Sequence, residues 1–254
     1  MSKSSMSSSE MLVGDIGQWI IGKIGKLEGR AKYSAANAVR FLRWSNDTFD
    51  TSPIVAAFCA MHATEEAVSA FISAAKEHGH KKYAKKINLH NHKQKALVSI
   101  FAQRTSLLLA QEKVAIAMHP KEDALAYRMQ IENGFHYDAL HLSSFSIGNN
   151  VTEAEGFLLG DTPSLDEIAS EADRLASLRN KLIYATENGL PSGFINPKYE
   201  LARNTGLSLG LIWAAVDMCM HPDHDRLIID QILSGMAQVI PKKGGKSCSE
   251  EDGA

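Results

Sequence analysis

The segment that decides the fold is residues 52–79, SPIVAAFCAMHATEEAVSAFISAAKEHG. Ser52 and Pro53 are typical of a helix start, because serine caps the first turn and proline lacks an amide hydrogen that this turn leaves free. Gly79 is suited to close the helix. The run between them is rich in small and apolar residues, so the sequence predicts one long helix with a face that should be buried.

Glu65 interrupts this apolar face. Successive residues of a helix are separated by about 100°, so each position can be assigned to a face. Glu65 falls within the apolar stripe, whereas Glu66 lies about 100° further round, beside His62. The apolar stripe consists of Ile54, Phe58, Met61, Val68, Ile72 and Ala75.

A second predicted helix carries the complementary charge in an equivalent place. The capping box Ser164–Glu167 begins this helix, which we expect to end near Gly189. Arg179 lies on its apolar stripe, whereas Asn180 and Tyr184 lie on the other side, toward solvent or a second subunit. The stripe consists of Ile168, Ala172, Leu175, Leu178 and Leu182.

An unpaired buried charge is strongly destabilising, so Glu65 and Arg179 are expected to approach each other across a helix interface. Arg104 is a rival partner, because it lies on the apolar stripe of a further predicted helix, residues 92–118. Two interpretations of the Glu65–Arg179 pair stay open: a buried ion pair that fixes helix register, or part of a functional cleft.

The remaining chain also has mainly helical patterns, and alternation typical of strands is nearly absent. We predict an all-α single domain over residues 10–240, with disordered ends at 1–9 and 241–254. Residues 134–163 should form a loop and short helices, and residues 10–30 should form a docking helix or a helix that lies on a membrane surface. The other predicted helices are 31–45, 92–118, 198–219 and 222–238.

The composition excludes several classes of protein. Of 254 residues, 44% are hydrophobic, which is enough for a core, and a net charge of −2 gives no overall attraction to nucleic acid. Three cysteines without CxxC spacing favour a reducing cytoplasm. No apolar run reaches the roughly 18 residues of a spanning helix, so no stable membrane insertion is expected. Histidine pairs occur without a full ligand set, and no phosphate-binding loop is present, so we predict neither metal nor cofactor.

Residues 80–95, HKKYAKKINLHNHKQK, form a local basic segment with six lysines, three histidines and no acidic residue. Such a segment is suited to RNA or another polyanion, although a solvated connection between helices explains it too. The candidate RNA-binding residues are Lys81, Lys82, Lys85, Lys86, His92, Lys93 and Lys95.

Three segments together resemble the AbiV-type abortive-infection family of bacterial phage defence, which belongs to or lies near the HEPN superfamily. The resemblance covers about residues 31–200, and it is carried by FCAMHATEEAVSAF (58–71), LHNHKQK (89–95) and LRNKLIYATENGLPSGFINP (178–197). It implies a HEPN-like helical bundle, here with additional N- and C-terminal helices. It also implies a homodimer, an RNA or ribosome-associated target and a phage-encoded protein partner.

Many HEPN domains are ribonucleases whose motif is arginine, often a polar residue, and then histidine after four to six positions. Arg179 and Asn180 match the start of this motif, but Tyr184 stands where a four-residue gap would place the histidine. Tyrosine, with an ordinary pKa of about 10, is a poor base at neutral pH, whereas imidazole is well suited. The resemblance implies catalytic roles for Glu65, Arg179, Asn180 and Tyr184. If the protein cleaves RNA, the base would have to be Tyr184 or a nearby histidine such as His92.

Two functions follow as alternatives. The first is an abortive-infection effector that binds RNA or the translation machinery and arrests growth, as a HEPN-type ribonuclease if it cleaves RNA. The second is a non-catalytic module that senses or binds another protein.

Overall fold

A computed structural model describes residues 7–111, 115–139, 165–184, 195–223 and 227–240, and these are mostly helical. The helices are α1 (Ser8–Val13), α2 (Asp15–Lys23), α3 (Gly29–Thr48), α4 (Pro53–Glu77), α5 (Lys81–Ala84), α6 (His92–Gln111), α7 (Leu165–Ile183), α8 (Pro197–Met220) and α9 (Leu227–Val239). A short 3-10 helix, Ile24–Lys26, follows α2. The strands are β1 (Ala115–Met118), β2 (Leu125–Ile131) and β3 (Gly134–Ala139).

The long helix predicted from Ser52 and Pro53 is α4, and it lies at the centre of the fold. Sixteen of its 25 residues are buried. It packs most extensively against α3 on one side and α8 on another, and it also contacts α6 and α7. Because so many of its buried residues are alanine or serine, α3 and α8 can approach its backbone closely.

Most predicted helices are confirmed, and their differences from the structure lie at the ends. The predictions 31–45 and 198–219 correspond to α3 and α8, and Asn196 caps α8 by accepting a hydrogen bond from the Tyr199 amide. Helix α7 ends at Ile183, and the capping-box residue Ser164 and residues 185–189 lie outside the described residues. The prediction that Pro222 begins the last helix is wrong, because Pro222 lies in a turn and α9 begins at Leu227.

A three-stranded antiparallel sheet is the main departure from the all-α prediction. Helix α6 ends at Gln111, and residues 115–118 form β1 instead of continuing the predicted helix. Strand β2 pairs with β1 on one side and with β3 on the other. A two-residue loop joins β2 to β3, and Gly134, the first residue of β3, has a φ of +136°. Residues 134–139 are therefore strand, not loop and short helices, and residues 140–163 lie outside the described residues. The three strands follow one another in the chain, and each pairs with its neighbour, so the ladder satisfies backbone groups within this one segment.

The N-terminal segment is a docking element, as the first of the two interpretations of residues 10–30 predicts. Leu12, Ile20, Ile24 and Leu27 are buried in the main apolar core. Gly14 separates α1 from α2, so the segment is two helices rather than one. Ser8 and Ser9 belong to α1, which corrects the prediction that residues up to 9 are disordered, while residues 1–6 and 241–254 lie outside the described residues.

One described helix, α4, is long and apolar enough to span a membrane, although it contains no uninterrupted apolar run of that length. However, 67% of its most apolar window is buried inside the protein. Burial of this kind is typical of the core helix of a soluble protein.

Candidate functional site

Glu65 and Arg179 meet across the interface between α4 and α7, as predicted. Arg179 Nη1 lies 3.3 Å from Glu65 Oε1 and 3.2 Å from Oε2, and both side chains are only 15% exposed. The helical period had placed each residue on an inward face, and the packing of α4 against α7 brings the two faces together. The side chain of Arg104, the rival partner, lies outside the described side chains.

His92, the first residue of α6, completes a three-residue cluster with this pair. Its Nδ1 lies 2.9 Å from Glu65 Oε2 and 3.1 Å from Arg179 Nη1. If the Nδ1 hydrogen is donated to the carboxylate, Nε2 keeps its lone pair and can accept a proton. The His92 side chain is 45% exposed, so this nitrogen is within reach of a molecule bound from solvent.

Asn180 lies beside the cluster rather than facing away from it. Its side-chain oxygen accepts hydrogen bonds from Arg179 Nη2, at 3.1 Å, and from Nε, at 3.4 Å. The residue itself is exposed, as predicted, so the amide holds the outer edge of the guanidinium. Arg179 is therefore fixed by Glu65 from inside and by Asn180 from outside.

Tyr184 lies just beyond the end of α7 and is 60% exposed. Its backbone amide donates to the Asn180 carbonyl at 3.0 Å, which continues the helical pattern for one more residue. No hydrogen bond joins its hydroxyl to the cluster among the described residues. Tyr184, which occupies the position of the motif histidine, is therefore exposed to solvent. The histidine of the cluster is His92, from α6.

His62 is a neighbour of the cluster whose place in it was not predicted. Its Nδ1 lies 4.0 Å from Glu65 Oε2 and is buried with no hydrogen-bond partner among the described residues. The ring packs edge-on against Phe41, at 4.5 Å between centroids, and stacks on Phe58. Burial lowers the pKa of His62 below its ordinary value, and nearby Arg179 and Lys95 add to this effect while Glu65 and Glu66 oppose it.

The seven predicted RNA-binding residues lie in different environments. Lys81, Lys82, Lys85 and Lys86 are exposed around α5, and Lys82 and Lys86 both lie over the ring of Tyr83. Lys93 is paired with Asp173 at 2.6 Å, and His92 belongs to the cluster. Lys95 does not fit the prediction of an RNA contact, because it is buried, and its burial lowers the pKa of its amine.

A narrow cleft opens beside Glu65 and His92. Its volume is about 40 Å3, which is room for a few water molecules but not for a nucleotide. One wall is a buried polar network in which the Thr64 hydroxyl donates to the Asn204 side-chain oxygen at 2.8 Å and lies 3.2 Å from the Ser208 hydroxyl. A substrate must therefore present a group to this cleft from outside, because the cleft cannot enclose one.

The chemistry of the cluster is that of a positioned acid–base histidine beside a fixed positive charge. Within the described residues, no group of three histidine, cysteine, aspartate or glutamate side chains could hold a metal ion. Comparison of the chain with protein-family models, with curated proteins and with solved structures finds no match. The resemblance to the AbiV-type family thus stays a prediction, and the site has to be argued from its geometry.

Proposed function

We propose that this protein is a cytoplasmic abortive-infection effector that cleaves RNA without a metal ion, at the cluster of Glu65, His92, Arg179 and Asn180. The observation that carries the proposal is the place of His92, whose Nδ1 lies 2.9 Å from Glu65 and 3.1 Å from Arg179. The HEPN-like resemblance supplies the arginine and the polar residue. Helix α6 supplies a histidine in place of the motif histidine, whose position is occupied by Tyr184 in this chain.

The cluster suits cleavage through the ribose 2′-hydroxyl. In the tautomer whose Nδ1 hydrogen is donated to Glu65, His92 Nε2 takes the proton of that hydroxyl, and Glu65 orients the ring and stabilises the imidazolium that forms. The 2′-oxygen attacks the phosphorus and the bond to the 5′-oxygen breaks. The leaving oxygen takes a proton from solvent, and His92 returns its proton to solvent. The products are a 2′,3′-cyclic phosphate and a 5′-hydroxyl.

Arg179 stabilises the negative charge that develops on the phosphate oxygens during this attack. A guanidinium has five N–H donors, and Glu65 and Asn180 engage only part of them, so others remain for phosphate. A positive charge held in place before the reaction acts without the cost of reorganisation. The pairing with Glu65 and Asn180 thus gives Arg179 the fixed position that this role needs.

The exposed lysines around α5 are proposed to hold the RNA backbone. Four exposed lysines and the ring of Tyr83 form one basic surface, which suits phosphate contacts and the stacking of one base. Tyr184, exposed beside Asn180, is proposed to contact substrate or the second copy of a homodimer. A ribosome-associated RNA or a phage-encoded protein stays a proposed partner.

The proposal is tested with purified protein and a labelled RNA in buffer with EDTA. His92→Ala and Arg179→Ala should each lower the cleavage rate about 100-fold or more, as is usual for the loss of a general base or a charge-stabilising group. His90→Ala and Arg174→Ala are matched controls, because both residues are exposed and Arg174 lies on the same helix, paired with Glu171. The products should carry cyclic phosphate and 5′-hydroxyl ends.

Cleavage that requires a divalent metal, or equal activity of His92→Ala and His90→Ala, would overturn the proposal. Growth arrest in bacteria that express the same four variants should follow the same order.

A non-catalytic interaction module is the second candidate, and the burial of the Glu65–Arg179 pair favours it, because such pairs also fix how helices pack. In that case Arg179→Ala would lower the melting temperature while His92→Ala and Tyr184→Phe would leave growth arrest unchanged. Measuring the melting temperature and the activity of the same variants separates the two candidates.

A further inference from the structure

A second, much larger cleft lies between the N-terminal helices, the sheet and α8. Its volume is about 500 Å3, within the roughly 300–1,000 Å3 that is usual for small-molecule sites. The lining is mainly apolar, with Ile16 and Ile20 from α2, Ile116 from β1, and Leu209 and Trp213 from α8. None of these residues belongs to the Glu65 cluster, so this site is independent of the proposed ribonuclease.

Two glycines of α8 keep the floor of the cleft open. Gly206 and Gly210 both line it, four residues apart on the same face of the helix. A Cβ atom added at Gly210 would meet nothing within 4 Å, and one added at Gly206 would meet only Met11 Sδ, at 3.7 Å. The absence of two side chains therefore creates space that the neighbouring elements do not fill.

The sheet is fixed to α2 at one side of this space. Asp123, between β1 and β2, accepts hydrogen bonds from the indole of Trp19 and from the Lys23 amine. Strand β1 is thereby held near α2 with Ile116 48% exposed at the cleft. An open apolar space of this size favours an apolar occupant, because apolar surface is stabilised when it is removed from water.

The charged groups of the lining are both acidic. Glu10 and Asp15 line the cleft, and no lysine or arginine does so among the described residues. Glu10 is held by Ser7, which donates from its amide and its hydroxyl to Oε2, and within the described part of the chain no hydrogen bond reaches Oε1. Asp15 is exposed and has no ion-pair partner among the described residues. The charge complementary to this lining is positive.

We infer that the cleft between α2, β1 and α8 is a binding site for a small apolar molecule that carries a cationic group. The apolar body would fill the space over Gly206 and Gly210, and the cation would lie near Asp15 and Glu10. An anionic molecule of the same shape would be disfavoured by the same two carboxylates.

The test is calorimetric titration of the full-length protein with decylammonium and with decanoate, each below its aggregation concentration. The two chains are alike in length and opposite in charge. We expect saturable binding of one decylammonium, about fivefold tighter than decanoate, because exposed ion pairs contribute modestly. Asp15→Asn should reduce this preference, whereas Asp47→Asn, at an exposed site outside the cleft, should not.

Gly210→Leu fills the cleft and should weaken decylammonium binding about tenfold or more, because a packed space admits no further chain. Gly22→Leu is the matched control, since Gly22 is a helical glycine with open space around it that does not line the cleft. If Gly210→Leu does not fold, Ile116→Ser tests the lining of the cleft instead. Its control is Ile131→Ser, at a similarly exposed isoleucine of the sheet. No saturable binding, equal binding of decanoate, or equal effects of each variant and its control would overturn the inference.

Discussion

The two clefts of this protein differ in size, polarity and origin. The cleft at Glu65 holds about 40 Å3 and is formed where charged side chains from α4, α6 and α7 meet. The cleft beside α2 holds about 500 Å3 and is formed where side chains are missing, above Gly206 and Gly210. The first can act on a group that is presented to it, and the second can enclose a molecule.

The difference also concerns what each region contributes to stability. Charges at the small cleft are mostly buried and depend on one another, so the loss of one leaves the others without partners. The walls of the large cleft are apolar and have unfilled space, so added atoms are tolerated wherever the backbone leaves room. Four substitutions, in three comparisons, test this contrast in order of decreasing expected effect.

Glu65→Ala should cause the largest loss of stability. It leaves Arg179, 15% exposed, without its carboxylate and removes the partner of His92, so the free energy of unfolding should fall by about 3 kcal/mol. Chemical denaturation measures this change. Glu77→Ala, at an exposed carboxylate at the end of the same helix, is the control and should change the value by less than about 0.5 kcal/mol. Similar losses in both variants would show that Glu65 is not the centre of a coupled cluster.

Gly17→Ala and Gly210→Ala should have opposite effects, although both glycines line the large cleft. A Cβ at Gly17 would lie 2.0 Å from the Met11 carbonyl oxygen, so the backbone must shift, and the free energy of unfolding should fall by about 2 kcal/mol. At Gly210 the Cβ meets no atom, and alanine should raise the value by about 1 kcal/mol through its better helix propensity. If the denaturation curves of both variants shift in the same direction, the claim that Gly210 has room for a Cβ atom and Gly17 has not would be contradicted.

His62 should give the smallest effect, visible only in the pH dependence. Above its ordinary pKa of 6.5 the imidazole is neutral in the folded and the unfolded protein. As the pH falls below 6.5, the unfolded chain takes up a proton that half-buried His62 resists, so stability is lost until the pH passes the lowered pKa of the folded state. Glu65 and Glu66 face this group and favour protonation, whereas Arg179 and Lys95 oppose it.

His62→Gln should therefore lose less stability between pH 7 and pH 5 than the unchanged protein does. His90→Gln, at an exposed histidine, should keep the full slope. The denaturation midpoints of these variants are measured at several pH values. If the midpoint depends on pH in the same way for His62→Gln and for the unchanged protein, the partial burial of His62 has no role in the pH dependence.

Part of the sheet could have been predicted from the sequence alone. In LAYRMQI (125–131), Leu125, Tyr127, Met129 and Ile131 alternate with smaller or polar residues, which is the period of a strand. The Asn133-Gly134 pair that follows is a strong hairpin signal, and Gly134 indeed has a positive φ. The all-α prediction does not use these two signals. It extends one long helix up to His119-Pro120, whereas Ala115–Met118 form a strand that pairs with β2.

The basic segment shows a limit of a different kind. Its six lysines are alike in the sequence, but four are exposed, Lys93 pairs with Asp173, and Lys95 is buried. Whether a lysine meets solvent, a carboxylate or the core depends on what packs over it. Composition therefore indicated a basic surface but not which residues form it.

The sequence by itself determined where most of the long helices lie, though not where each one ends, and it determined the inward direction of Glu65 and Arg179. Caps, prolines and the 100° helical step are local properties, so they can be evaluated without knowing the fold. Only the tertiary structure decided that His92 joins the pair, that half-buried His62 and buried Lys95 lie beside it, and that two glycines open the large cleft. These contacts join residues far apart in the chain and depend on how the helices are placed against one another, which no local pattern specifies.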